Sequence, residues 1–167
     1  MQSLLEVGEA QYRSLIDIEE PAIEPQSAQP AIDCNSQFAL EKYLEEFIVS
    51  NFKAIFGAEL EIVQDEGVIL GQQYPTDIGP IDILAWEPSS QSYVVMELKR
   101  GKPSDQAVGQ ILRYMGWVKA NLCKEGQDVR GLIICKEPDV RLTYAINMVG
   151  NVKVKYYKVA FDLRDDA

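Results

Sequence analysis

Between residues 36 and 56, Leu40, Leu44, Phe47, Ile48, Phe52 and Ile55 recur at three- and four-residue intervals. That spacing predicts one apolar face of a helix, with Ser36 placed to cap its first turn. The pattern then shortens to strand-like runs at Glu59–Gln64, Ile69–Tyr74, Pro80–Trp86 and Ser92–Leu98, the last two separated by a Pro88-Ser89-Ser90 turn. Gly101-Lys102-Pro103 breaks the chain, and Ser104 opens a second helix to about Leu122. Its predicted core stripe is Ala107, Val108, Ile111, Leu112, Met115, Val118 and Leu122. A buried strand is expected at Val129–Cys135, a third helix at Pro138–Met148 and a closing strand at Val152–Leu163. The order α-β-β-β-β-α-β-α-β predicts an α/β (α+β) domain with a mixed sheet flanked by helices.

Residues 1–35 read differently. Pro21, Pro25 and Pro30 lie among Glu, Gln, Ser and Ala, as in an extended linker. Residues 3–18 carry a short amphipathic pattern through Leu4, Leu5, Val7, Leu15, Ile16 and Ile18. The reading is therefore an acidic, proline-rich extension over 1–35 and one folded domain over 36–167, consistent with 167 residues in all.

Charge changes the picture locally rather than globally. The formal net charge is −10. Residues 1–33 hold Glu6, Glu9, Asp17, Glu19, Glu20, Glu24 and Asp33 against Arg13, a net −6 that leaves −4 for the rest. Over 97–119 the sign reverses, with Lys99, Arg100, Lys102, Arg113 and Lys119 against Glu97 and Asp105. A local basic patch of this kind can meet phosphates despite an acidic whole. There are no histidines, which removes Ser-His-Asp and Cys-His chemistry and any imidazole base. Cys34, Cys123 and Cys135 are odd in number and widely spaced, so a reducing, cytoplasmic setting is expected. No apolar run is long enough to span a membrane, and the first ten residues lack the basic start of a signal peptide.

The chemistry concentrates in two apolar strands. Asp82 interrupts Ile81-Asp82-Ile83-Leu84-Ala85, and Glu97 and Lys99 end Tyr93-Val94-Val95-Met96-Glu97-Leu98-Lys99. Residues two apart on a strand share a face, so Glu97 and Lys99 point one way and Leu98 the other. Antiparallel pairing would set Asp82 beside Glu97. Two close carboxylates repel, and a divalent cation relieves the repulsion. Mg²⁺ takes one or two carboxylates plus water and phosphate oxygens, and the Leu98 carbonyl is a further candidate ligand. An ion pair among Asp82, Glu97 and Lys99 at a sheet edge is the purely structural alternative.

Asp82 followed by Glu97-Leu98-Lys99, behind a helix and a hairpin, resembles the PD-(D/E)xK nuclease superfamily. The closer resemblance is to the C-terminal catalytic domain of the NucS (EndoMS) endonucleases. It is carried by Leu40–Ile48, Gln73–Leu84, Val94–Arg100 and Ala107–Tyr114, in that order, across roughly residues 36–160. The resemblance implies a restriction-endonuclease-like fold with an αβββαβ core and a DNA endonuclease dependent on Mg²⁺ or Mn²⁺. Asp82 and Glu97 resemble its metal-binding acids and Lys99 its catalytic lysine. Glu41 resembles the helix acid that supports the metal, and Gln110 and Tyr114 the polar pair bordering the site. Glu41 precedes Leu44 by three residues and Ile48 by seven, which turns it inward; Glu45 competes one turn later and Glu46 faces out. A solvated first-turn acid is the alternative for Glu41.

Gln110, Tyr114 and Trp117 form a second helix face able to meet nucleic acid. Trp117 either stacks on a base or packs at the helix edge, and the packed reading is favoured. Arg100, Lys102 and Arg113 are candidate phosphate contacts. NucS proteins carry a separate N-terminal DNA-binding domain, whereas residues 1–35 are all that precede the match here. That leaves open DNA against RNA, and repair against other roles. It also leaves open a protein partner docked through residues 1–35, a homodimer for double-strand cutting, and a binding module of the same fold that does not cut.

Overall fold

The computed structural model describes residues 34–101 and 106–159, with side chains from residue 41 onward. The extension over residues 1–33, Lys102, Pro103, Ser104 and the end of the expected closing strand lie outside the described residues.

Helix α1 spans Cys34–Ser50 and begins two residues before the Ser36 cap read from the pattern. The helical stretch is not continuous to Phe56. It breaks at Asn51, whose side-chain amide donates to the Phe47 carbonyl at 2.8 Å, and resumes as α2, Phe52–Phe56. The buried face continues across the break at four-residue spacing through Ile48, Phe52 and Phe56, while Phe47, 61% exposed, and Ile55 lie outside it.

The two predicted strands that follow are four short ones: β1 (Glu61–Ile62), β2 (Gln64–Asp65), β3 (Val68–Ile69) and β4 (Gln72–Tyr74). Strands β2 and β3 form their own hairpin. Glu66 and Gly67 turn it with φ of 48° and 83°, the left-handed pair that a tight two-residue hairpin demands. Strands β5 (Ile81–Glu87) and β6 (Ser92–Lys99) pair antiparallel, with Ile83 opposite Met96. After helix α3 (Gln106–Asn121), β7 (Asp128–Cys135) joins β6 in parallel. After helix α4 (Val140–Asn147), capped by Asp139 through the Arg141 and Leu142 amides, β8 (Val152–Tyr156) joins β7 in parallel. The sheet order is β1-β5-β6-β7-β8, with β4 also on β5. This is the mixed sheet predicted, and its inner strands are apolar on both faces because helices cover both.

One face carries Ile81, Leu84, Val95 and Ile133 against Ile111, Met115 and Val118 of α3. The other carries Ile83, Met96, Leu98 and Ile134 with Ile48, Phe52 and Phe56. Gly131 sets the first spacing: a Cβ there would lie 2.8 Å from Met115 Sδ and 2.9 Å from Ile111 Cδ1. Leu112 belongs to the solvent side of α3, at 39% exposure, while Tyr114 is in the core at 8%. The sequence assigned these two the other way round. A three-to-four-residue spacing leaves the exact edge of the buried stripe open, and the sheet sets it.

Candidate active site

The β5–β6 register, carried one residue past Ile83–Met96, brings Asp82 opposite Glu97. Asp82 Oδ2 accepts from the Leu98 amide at 2.8 Å, a bond that fixes the carboxyl against the neighbouring strand. Glu97 is 1% exposed. Its Oε1 receives Lys99 Nζ at 2.7 Å, while its Oε2 is buried with no hydrogen-bond partner among the described residues. Such an orphaned oxygen is rare in a native interior, and a bound water or ion is one of its ordinary explanations.

Burial dominates the electrostatics. It pushes the Asp82 carboxyl up to about 6, helped by the charges of Glu45 and Glu41 and opposed by the Leu98 amide and Lys99. It pushes Glu97 up to about 7, with Asp82 and Glu41 adding to the rise and Lys99 opposing it. For Lys99, burial works against the ammonium, but the Glu97 hydrogen bond and the surrounding carboxylates outweigh it and raise its pKa above the usual lysine value. Lys99 is therefore held in its ammonium form at neutral pH.

Helix α1 presents two acids. Glu41 is half-exposed, and its Oε1 lies 3.4 Å from the Arg100 amide. Glu45, one turn on, is buried at 6% and accepts from Gln72 Nε2 at 2.9 Å and from Gln73 Nε2. Glu45, Gln72 and Gln73 were not singled out as site residues from sequence, apart from Glu45 as a rival to Glu41. Among the signals available, only the repeated Gln72-Gln73 ahead of the Asp82 strand pointed there.

Helix α3 borders the site through the loop after β4. A Cβ at Gly79, whose φ is 113°, would lie 3.1 Å from the Tyr114 hydroxyl. Only glycine gives the loop both that backbone and that approach. Trp117 donates its indole N–H to Asp77 and meets Tyr74 edge-on, with ring centroids 6.3 Å apart. Its ring is thus a half-buried fastening for this loop, which is the packed reading of that residue. Gln110 is half-exposed one turn before Tyr114, with no hydrogen bond to the acids among the described residues. Arg100 is half-exposed and Arg113 exposed. The Arg100 carbonyl accepts from the Tyr157 hydroxyl at 2.8 Å, which ties down the end of β6.

The sequence profile described as Endonuclease NucS C-terminal domain matches residues 49–160. The chain belongs to this family. An Endonuclease NucS of Sulfolobus acidocaldarius is 28% identical over 125 residues, covering 75% of this chain and 44% of that protein. One from Streptomyces griseus is 27% identical over 115 residues, covering 68% of this chain and 50% of that protein. The chain spans about half the length of the curated relatives it matches. A repair endonuclease from Pyrococcus abyssi shares the fold with a TM-score of 0.54 at 20% identity, over 78% of this chain and 50% of that one. The EndoMS protein of a complex with double-stranded DNA superposes with a TM-score of 0.52 at 16% identity, over 82% and 51%. The architecture is that of NucS-type nucleases, as the four sequence segments implied.

The site also suits a hard divalent cation. Among the described residues no group of three Asp, Glu or Cys side chains is gathered to hold a metal. Mg²⁺, however, often uses two carboxylates and completes its shell with water and substrate. The unpartnered Glu97 Oε2 and the mutual repulsion of Asp82 and Glu97 suit that donor set. Asp82 and Glu97 would hold the ion, with the Leu98 carbonyl and Glu41 beside them.

Proposed function

We infer that this domain is a Mg²⁺- or Mn²⁺-dependent endonuclease that hydrolyses phosphodiester bonds in DNA. The observation that carries the reading is the orphaned Glu97 oxygen, buried opposite Asp82 and beside a charged Lys99. When bound, the ion supplies Lewis-acid polarisation of the phosphodiester and of the attacking water. The remaining work falls to the chain. Asp82 and Glu97 bring concentrated negative charge to one spot in a low-dielectric sheet. Lys99, kept protonated by Glu97, offers a positive charge to the negative charge that builds up on the phosphoryl oxygens during attack. With no histidine in the chain, the leaving 3′-oxygen takes its proton from solvent. Membership of the NucS C-terminal family and the likeness to NucS-type nucleases support DNA as substrate.

The test is a cleavage assay with Mg²⁺ and with Mn²⁺ on single-stranded, duplex, mismatched and branched DNA, with RNA alongside. Asp82→Ala and Lys99→Ala are run beside wild type. Metal-dependent cutting lost in both variants is the expected result. Binding without cutting by wild type would overturn it in favour of a nucleic-acid-binding module.

A further inference from the structure

Three neighbouring strands carry one continuous row of residues. Gln72 lies opposite Ile83 and Tyr74 opposite Ile81, so Gln73 falls opposite Asp82, which in turn faces Glu97. In a regular strand Gln72 and Gln73 would project to opposite faces. Here both amides reach one carboxylate, that of Glu45. The backbone of Gln73 allows this: its φ is 46°, a left-handed conformation that side-chain-bearing residues rarely adopt. Such strain persists only where its surroundings impose it. The two amides occupy both Glu45 oxygens in a nearly closed environment. Glu45 also acts electrostatically on Asp82.

We propose that Gln72 and Gln73 clamp Glu45 as a positioning residue: a negative charge held in place beside Asp82, with each of its oxygens oriented by one amide hydrogen bond. The clamp carries helix α1 onto the row, which places Glu41, one turn earlier, over the end of β6. It rests on the nuclease reading for its purpose, though not for its geometry. The kink at Gln73 thereby serves the site rather than the sheet, since a regular strand there would pair with β5 without it.

The deciding experiment measures Mn²⁺ binding by calorimetry and Tm on the full chain for wild type, Gln73→Gly and Glu45→Gln. Each substitution is expected to weaken Mn²⁺ about tenfold, the usual cost of losing a group that orients metal ligands. Glycine accepts the left-handed backbone freely, so Gln73→Gly is expected to keep its Tm within a few degrees while losing affinity. Unchanged affinity in both variants overturns the proposal, whatever Tm does. A second readout needs no metal: the Leu98 amide resonance, whose proton is bound to Asp82, should move in both variants of the metal-free protein. If it stays fixed in both, the clamp does not act on Asp82 and the proposal fails. Wild type that neither binds Mn²⁺ nor cuts nucleic acid would overturn the nuclease reading alone, and the Leu98 resonance would still decide the clamp.

Discussion

Glu87 and Glu97 sit on adjacent strands near opposite ends of the same hairpin, and their surroundings differ in kind. Glu87 Oε2 meets Arg130 Nη1 at 2.6 Å and accepts from the Ser90 hydroxyl, with the arginine about half exposed to water. Both contacts fall on that one oxygen, and the Glu87 side chain keeps 18% of its surface open to solvent. Glu97 is enclosed, answered at one oxygen by Lys99, and without a partner at the other among the described residues. A sheet that tolerates the first arrangement at its rim has no structural need of the second, because an unanswered buried carboxylate costs free energy. The contrast separates an ion pair at the rim of the sheet from a charge cluster enclosed within it, as the proposed nuclease site requires.

The largest effect expected is on turnover. Asp82→Ala and Glu97→Gln should each lower metal-dependent cutting by more than about 10³-fold, read by single-turnover cleavage. The same measurement on Glu87→Gln should show wild-type rates. Lys99→Ala should cost less, about 10²–10³-fold, as for removal of one transition-state charge partner. Mn²⁺ should next raise stability by about 2.7 kcal/mol at a hundredfold excess over its dissociation constant, and Glu97→Gln should lose most of that rise.

The pH dependence sharpens the contrast further. Asp82 and Glu97 titrate higher in the folded protein than unfolded, near 6 and 7. The folded state then holds protons that the unfolded chain has already lost. Their contribution is present below the ordinary carboxylate range and disappears as pH rises through about 7. Thermal melts of metal-free protein should show Tm falling between pH 5 and 8, with a smaller fall in Glu97→Gln. The smallest effect belongs to the rim: Glu87→Gln should cost no more than about 1 kcal/mol in denaturant unfolding.

The half of the site on β5 and β6 was legible because both strands are continuous apolar runs. Strand parity then places Glu97 and Lys99 together, and antiparallel pairing brings in Asp82. The helix half was not. Glu41 and Glu45 are four residues apart and share a face, so periodicity cannot choose between them. The choice is made by Gln72 and Gln73, 27 and 28 residues away from Glu45. The strands before β5 were also misread as two long runs. Their bends come from backbone at Glu66, Gly67 and Gln73 whose φ is positive, and apolar patterning carries no signal for that. Tyr114 and Leu112 exchanged places for a similar reason: Gly131 lets α3 settle so close that the helix edge facing the sheet is fixed by contact.

The bond from the Tyr157 hydroxyl to the Arg100 carbonyl joins positions 57 residues apart. On the ribosome, which adds about 5–20 residues per second, the stretch ending in Lys99 emerges seconds before its anchor does. Strand β8, which brings Tyr157 into place, pairs with β7 and is the last strand to arrive among the described residues. A nascent chain therefore carries Asp82, Glu97 and Lys99 before the end of β6 is tied, and the geometry of that strand end is completed only after residue 157 has emerged.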